Sequence, residues 1–295
     1  MVRNGGGAAT PAGDPFQVVL GMTATQVRNP GGVVAAEGLR GWVTNHPVVS
    51  FVLLAYAWSW SLWLIVMATG IQLLFFAGGF GPLVSAAAIT RYTGGSVRDW
   101  ARSILRWRVA PRYYLYALGL PIVVFGFMNI ELLLLGYDVD VSLLAGRLPT
   151  YLWTFVLVAL VGGGLPEEPG WRGFALPRLQ QRLTPVRATF LLGLVWGMWH
   201  VPLYGPLGFV LPMFLAFFYT WLYNRSGSVL LCILLHASFT PALEQLILLP
   251  DEVVHAGGSM TVDIVILGTV VAAAMALVAV TRGRLGFEPP REVLR

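Results

Sequence analysis

Two adjacent glutamates, Glu167 and Glu168, with Arg172 four residues on, interrupt an otherwise apolar chain within the stretch GGGLPEEPGWRGFALPRL, 162–179. On a helix, residues four apart share a face, so Glu168 and Arg172 can pair. Glu167 lies about 100° round the helix from Glu168 and is left without that partner. The pair therefore predicts a division of labour: Glu168 neutralised by Arg172, Glu167 open to a proton. A carboxylate in a low-dielectric pocket holds its proton more readily, which suits a general base that activates water. The plainer reading is electrostatic, with two acids after Pro166 favoured by a helix N-terminus. Two further groups weigh against that reading alone. His200 lies in LVWGMWHVPLYG and His236 in LLHASFTPALEQ, both in long charge-free runs. Either histidine alone would serve as a hydrogen-bonding residue between helices; together with the acids they suggest a hydrolytic site. His236 and Thr240 are four apart, so both can donate to one oxygen, as an oxyanion site requires.

The elements that must carry these side chains are membrane helices. The 295 residues are 57% hydrophobic and only 11% charged, with a mean hydropathy of +0.72, whereas soluble domains are about a quarter charged. All 19 basic residues are arginine, and the net charge of +5 is spread over loops. No dense basic tract with interleaved aromatics is present, which argues against nucleic acid as a partner. One cysteine, Cys232, permits no intrachain disulfide and no thiolate metal cluster. The N-terminal MVRNGGGAATPAGDP lacks the apolar core of a cleavable signal. Residues 1–45 read as a mostly disordered cytosolic tail with a short helix before Pro47, 46–284 as a transmembrane domain, and 285–295 as a short cytosolic tail.

A bilayer core of about 30 Å takes roughly 20 apolar residues as helix. The pattern predicts an all-α, polytopic membrane helix bundle of about eight transmembrane helices: 48–69, 72–91, 113–136, 150–166, 188–206, 208–223, 228–249 and 262–281. Arginines cluster in alternate loops, at 91–112, 172–187, 225 and 282–295. The positive-inside rule then puts both termini in the cytoplasm. The segment 96–108, SVRDWARSILRWR, reads as an amphipathic helix on the cytoplasmic leaflet. Glu131 is expected to face the bundle interior and, like Asn129, to make a structural polar contact. Glu244 falls near the His236 face, and Asp263, His255 and His46 near interfaces.

Glu-Glu-x-x-x-Arg, then aromatic-x-x-x-His, then His-x-x-x-Thr on successive helices resembles the CAAX protease and bacteriocin-processing family of membrane proteases, to which the Ras-converting CAAX endopeptidase belongs. EEPGWR matches the first motif in full. The second has Trp196 where phenylalanine is typical, and the third has Thr240 where many members have asparagine. FGPLVSAA (80–87) is also similar. The resemblance covers about 45–285. It implies an intramembrane endopeptidase in which Glu167 activates water, Glu168 and Arg172 support its geometry, His200 helps hold the water or substrate, and His236 with Thr240 stabilises the oxyanion. The implied partners are a membrane peptide or prenylated protein substrate and the lipid bilayer; the natural substrate and the oligomeric state are left open.

No cofactor is expected. Two Glu and two His could ligate zinc, but no H-E-x-x-H is present and a metal-independent glutamate mechanism is favoured. The glycines read either as close-packing positions (Gly162, Gly163, Gly164) or as room for a substrate backbone (Gly170, Gly173). A prokaryotic plasma membrane is the expected location. Two rival readings are a catalytically idle scaffold or immunity protein, favoured by Thr240, and a small-solute transporter, disfavoured by the lack of a visible repeat.

Overall fold

The computed structural model describes residues 37–206, 208–254 and 259–288. His255, residues 289–295 and residues 1–36 of the tail expected over 1–45 lie outside them. The chain divides into two compact units, Met1–Trp42 and Val43–Arg295. Of the first, only 37–42 are described, within the helix α1 (Glu37–Asn45), which is the short helix expected before Pro47. The rest of the architecture belongs to the second unit.

Among the described residues every regular element is helical. α2 (Pro47–Thr69) starts on a proline at its first turn and stops at Gly70, which adopts the left-handed conformation at φ 73°. The expected span 72–91 is two helices, α3 (Leu73–Gly79) and α4 (Gly81–Tyr92), bent by 45°. The bend is stabilised from α2: Ser59 Oγ donates to the Gly78 carbonyl at 2.7 Å, Trp58 Nε1 to Ala77 at 2.9 Å and Trp63 Nε1 to Phe75 at 3.1 Å. These bonds satisfy backbone groups near the break, which hydrocarbon would not. Glycine is required there, because a Cβ on Gly81 would lie 2.1 Å from Ser59 Oγ.

α5 (Val97–Ile104) is the amphipathic helix, capped by Ser96 Oγ accepting from the Asp99 N–H. It ends sooner than expected, and 105–108 are not helical. α6 (Arg112–Leu134) follows. α7 (Leu143–Leu160) replaces the expected 150–166. It starts earlier because Arg147 is helical and ties α7 to the far end of the bundle by donating to the Ile247 carbonyl at 2.6 Å and the Leu249 carbonyl at 2.8 Å. It stops earlier because Gly163 takes φ 146°, a conformation that breaks the helix ahead of the acidic motif.

That motif forms α8 (Gly164–Gly170), a π turn (Trp171–Ala175) and α9 (Leu176–Gln180). Then come α10 (Pro185–Trp199), α11 (Val201–Tyr204), α12 (Val210–Ser226), α13 (Val229–Gln245), α14 (Asp251–Val254) and α15 (Met260–Val280). α8 packs against α4, α7 and α13, and α10 against α12, so the motif lies inside the bundle.

By length and composition four helices are able to cross a membrane, namely α2, α6, α7 and α15, or five with the bent α3–α4 pair. α10, α12 and α13 are shorter, at 15, 17 and 17 residues. These apolar helices make the chain an integral membrane protein. Two expected contacts occur with different surroundings. Asn129 bridges α6 to the end of α13, donating to the Leu246 carbonyl at 2.6 Å and accepting from the Leu248 N–H at 2.8 Å. Glu131 accepts from the Thr269 hydroxyl of α15 but is itself exposed instead of facing the bundle interior, while Thr269 is buried.

Candidate active site

The geometry starts from α8. Glu168 and Arg172, one turn apart, are joined at 3.0 Å through Arg172 Nη1 and Glu168 Oε1, both side chains being fully buried. The same Glu168 oxygen lies 2.9 Å from His236 Nδ1, on α13. A carboxylate only accepts when ionised, so Nδ1 carries the hydrogen. The Arg172 guanidinium lies between two rings, 4.3 Å from the centroid of Trp196 on α10 and 4.4 Å from that of Tyr219 on α12. Cation–π attraction thus replaces part of the solvation the arginine gives up.

Glu167 points elsewhere, as consecutive helical residues must. Its Oε2 accepts from Trp196 Nε1 at 2.6 Å and lies 4.0 Å from His200 Nε2. His200 is not in mid-span but at the C-terminal cap of α10. Its Nδ1 sits 2.9 Å from the Trp196 carbonyl, which can only accept; Nδ1 therefore bears the hydrogen, and Nε2 of the neutral ring presents a lone pair towards Glu167. Tyr204, on α11, stacks on the His200 ring at 5.6 Å and 17°, and Trp199 meets it edge-on at 4.9 Å.

The structure thus brings five of the six expected residues into one buried cluster: Glu167, Glu168, Arg172, His200 and His236. Thr240 follows His236 by one turn of α13 and is half-buried; the contacts joining the other five do not include it. Among the described residues no three His, Cys, Asp or Glu side chains form a group able to hold a metal ion. Glu167 Oε2 and His200 Nε2 stand 4.0 Å apart, and Glu168 Oε1 is engaged by Arg172 and His236.

Spacing had shown the Glu168–Arg172 pair and the split between the two acids. It had not shown Trp196 as the centre of the cluster, bonded to Glu167, stacked on Arg172 and bound through its carbonyl to His200. Tyr219 was hidden in the aromatic run FFYTWLY. The glycines divide differently from expectation. A Cβ on Gly163 would lie 2.6 Å from His236 Nε2, and one on Gly164 would lie 3.0 Å from the Ile233 carbonyl oxygen and Cγ2, so both are close-approach positions beside the site. Gly170 does not leave room for a substrate: a Cβ there would lie 2.6 Å from the Pro82 carbonyl of α4. Gly173 faces Val229 and Trp100 and is likewise a packing position.

Residues 149–240 match the family model described as Type II CAAX prenyl endopeptidase Rce1-like. Over this region the chain is similar to that protease family. The match takes in α8 with Glu167, Glu168 and Arg172, then His200, His236 and, at its last residue, Thr240. A 48-residue stretch is 44% identical to CAAX prenyl protease 2 of Methanococcus maripaludis, covering 16% of this chain and 18% of that relative. The aligned part is thus about a fifth of the relative's length.

Removing one partner of a fully buried ion pair leaves the other charge uncompensated, at about 3–5 kcal/mol. Arg172→Met is accordingly expected to lower stability by that order, read as a fall in the thermal unfolding midpoint in detergent. A midpoint equal to wild type would mean that the Glu168–Arg172 pair does not hold the bundle together.

Proposed function

We propose that the chain is an intramembrane endopeptidase that hydrolyses membrane-associated or lipid-modified, CAAX-like peptides with a glutamate-activated water. The observation that carries this reading is the 4.0 Å gap between Glu167 Oε2 and His200 Nε2, two acceptors facing each other in a buried site. A single water about 2.8 Å from each spans that gap at a bent angle. Donating to both, it turns a lone pair outward towards a carbonyl carbon.

The water oxygen attacks the peptide carbonyl carbon while Glu167 takes the proton. The carbonyl oxygen becomes an oxyanion facing the Thr240 hydroxyl and His236 Nε2, which donates when the ring is cationic. Glu168 favours that cation through Nδ1. Glu167 returns its proton to the amide nitrogen, the C–N bond breaks, and the proton left on the new carboxyl passes to the amine, so that a carboxylate and an ammonium leave. No metal takes part in this reading.

We infer further that α10, α12 and α13 cross the bilayer with the five longer candidates. This makes eight spans with both termini in the cytoplasm, a protease domain over 46–284 and a location in a prokaryotic plasma membrane; the arginine-bearing loops support this orientation. The second reading is a catalytically idle scaffold or immunity protein. The position of Thr240 favours it, because a hydroxyl is one short-armed donor where an amide offers two hydrogens.

The test is cleavage of a membrane-peptide library in liposomes. Wild type is expected to cleave, Glu167→Gln and His236→Ala to lose at least about 10²-fold in kcat, and a chelator to leave wild type unchanged. Cleavage surviving both substitutions, or abolished by chelator and restored by zinc, would sink the mechanism; no cleavage by wild type would favour the scaffold.

Thr240→Asn is expected to raise kcat if Thr240 is an oxyanion donor, whereas an unchanged or lower rate counts against that role. Trp196→Phe keeps an aromatic ring over Arg172 but removes the N–H from Glu167. A hydrogen bond to a charged group contributes about 1.5–3 kcal/mol, so kcat should fall roughly ten-fold or more with KM little altered. An unchanged kcat would show that the indole N–H does not position the base.

A further inference from the structure

α2, α9 and α10 enclose a cavity of about 710 Å³, away from the residues of the candidate active site. Its volume lies within the range of small-molecule sites, roughly 300–1,000 Å³. The floor is aliphatic, built from Val48, Val52, Leu179, Leu183, Leu192 and Val195. The polar lining is confined to the α1–α2 junction and the α9 segment with the residues just after it, with Asn45, His46 and Gln181 beside Arg178 and Arg182. No acidic side chain is among its lining residues. Arg178 is fixed in place, donating to the Phe174 carbonyl at 2.8 Å and lying 3.7 Å over the Phe174 ring. Arg182 is exposed.

An aliphatic trough that ends in two arginines, at the point where a membrane-length helix begins, matches a molecule with a hydrocarbon tail and an anionic head. The larger cavity, about 850 Å³, lacks this character: Arg112 and Arg225 line it, but Glu288 lines it too and pairs with Arg225 at 3.2 Å. The third cavity, of about 220 Å³ and lined by Ile122, Leu144 and Leu148, has a single arginine, Arg147, and its guanidinium is held by the Ile247 and Leu249 carbonyls and by Asp251.

We propose that the α2–α9–α10 cavity is a binding site for an anionic phospholipid, with one acyl chain on the aliphatic floor and the phosphate at Arg182 and Arg178. Arginine suits this role, since its planar fork meets phosphate oxygens in pairs. α9 continues the helical segment that carries Glu167, Glu168 and Arg172, and Leu192 and Val195 precede Trp196 on α10. The bound lipid would therefore brace two of the elements that hold the candidate active site.

The full-length protein in detergent, given phosphatidylglycerol or phosphatidylcholine in small molar excess, can be analysed by native mass spectrometry. Wild type is expected to retain one phosphatidylglycerol in preference to phosphatidylcholine. Arg182→Gln should lower that retention roughly five-fold, the worth of one basic residue at an anionic lipid surface, while Arg182→Lys keeps most of it. Val52→Trp, which fills the floor, should lower retention of both lipids. Equal retention of the two lipids by wild type, or an undiminished signal in Arg182→Gln, overturns the proposal. Displacement of the phosphatidylglycerol by a lipid-modified peptide also overturns it and makes the cavity a site for the substrate's lipid tail.

Discussion

A guanidinium with no exposed surface has to be solvated by the protein itself, and much of the site's architecture follows from how Arg172 is accommodated. One nitrogen is bonded to Glu168 at 3.0 Å, and two aromatic faces, each within 4.4 Å, flank the charge. Desolvating such an ion costs several kcal/mol, which only good geometry offsets. That requirement draws four elements together: α8 with its π turn provides the ion pair, α10 and α12 the two rings, and α13 the histidine that shares the Glu168 oxygen. Isolated π turns are rare in helices and are frequent at functional sites; here one holds Arg172 just beyond the acids.

From this follows the separation of the two glutamates. Glu168 is matched in charge by Arg172 and committed to His236, so its place in the cluster is fixed. Glu167, rotated by a single residue, is turned towards Trp196 and His200. Two residues of the same type thus meet different chemistry because of helix geometry alone. The backbone contributes as well: the Trp196 carbonyl holds the hydrogen of His200 on Nδ1 and so decides which ring nitrogen faces the acid. Gly163 lets His236 approach to a distance that any side chain at that position would prevent.

Much of this was legible in the order of residues, for identifiable reasons. Interactions at one helical turn, such as Glu168 with Arg172, depend on spacing alone. That three motifs on separate helices converge was anticipated from their joint resemblance to a protease family and not from spacing, because helix packing order does not show in a linear pattern. The misses are of the same kind. The indole N–H of Trp196 finds Glu167 across 29 residues, and Tyr219 reaches Arg172 from α12; nothing local distinguishes either aromatic from its neighbours. The early end of α7 was missed because Gly162–Gly164 read as close-packing positions, and the φ of 146° at Gly163 that breaks the helix does not show in a linear pattern. Glu131 was expected inside because charge at membrane depth is costly, but it reaches the buried Thr269 hydroxyl of α15 while its own side chain stays exposed.

The two positions at which the chain departs from the usual motif lie on opposite sides of the proposed reaction, and they act in opposite senses. Trp196 adds an N–H donor to the proposed base that a phenylalanine would not provide, so Glu167 is oriented before a substrate arrives. Thr240 offers one hydrogen on a short arm where an amide would offer two, and its half-exposed position leaves it less firmly held than the five clustered residues. Preorganisation therefore favours water activation over oxyanion stabilisation. In the proposed reaction charge develops on the carbonyl oxygen as the tetrahedral state forms, and donors aimed at that charge are usually the largest single contribution; that proposal therefore assigns control of the rate to the α13 side of the site, with His236 given a larger share of the oxyanion charge than it would have beside an asparagine.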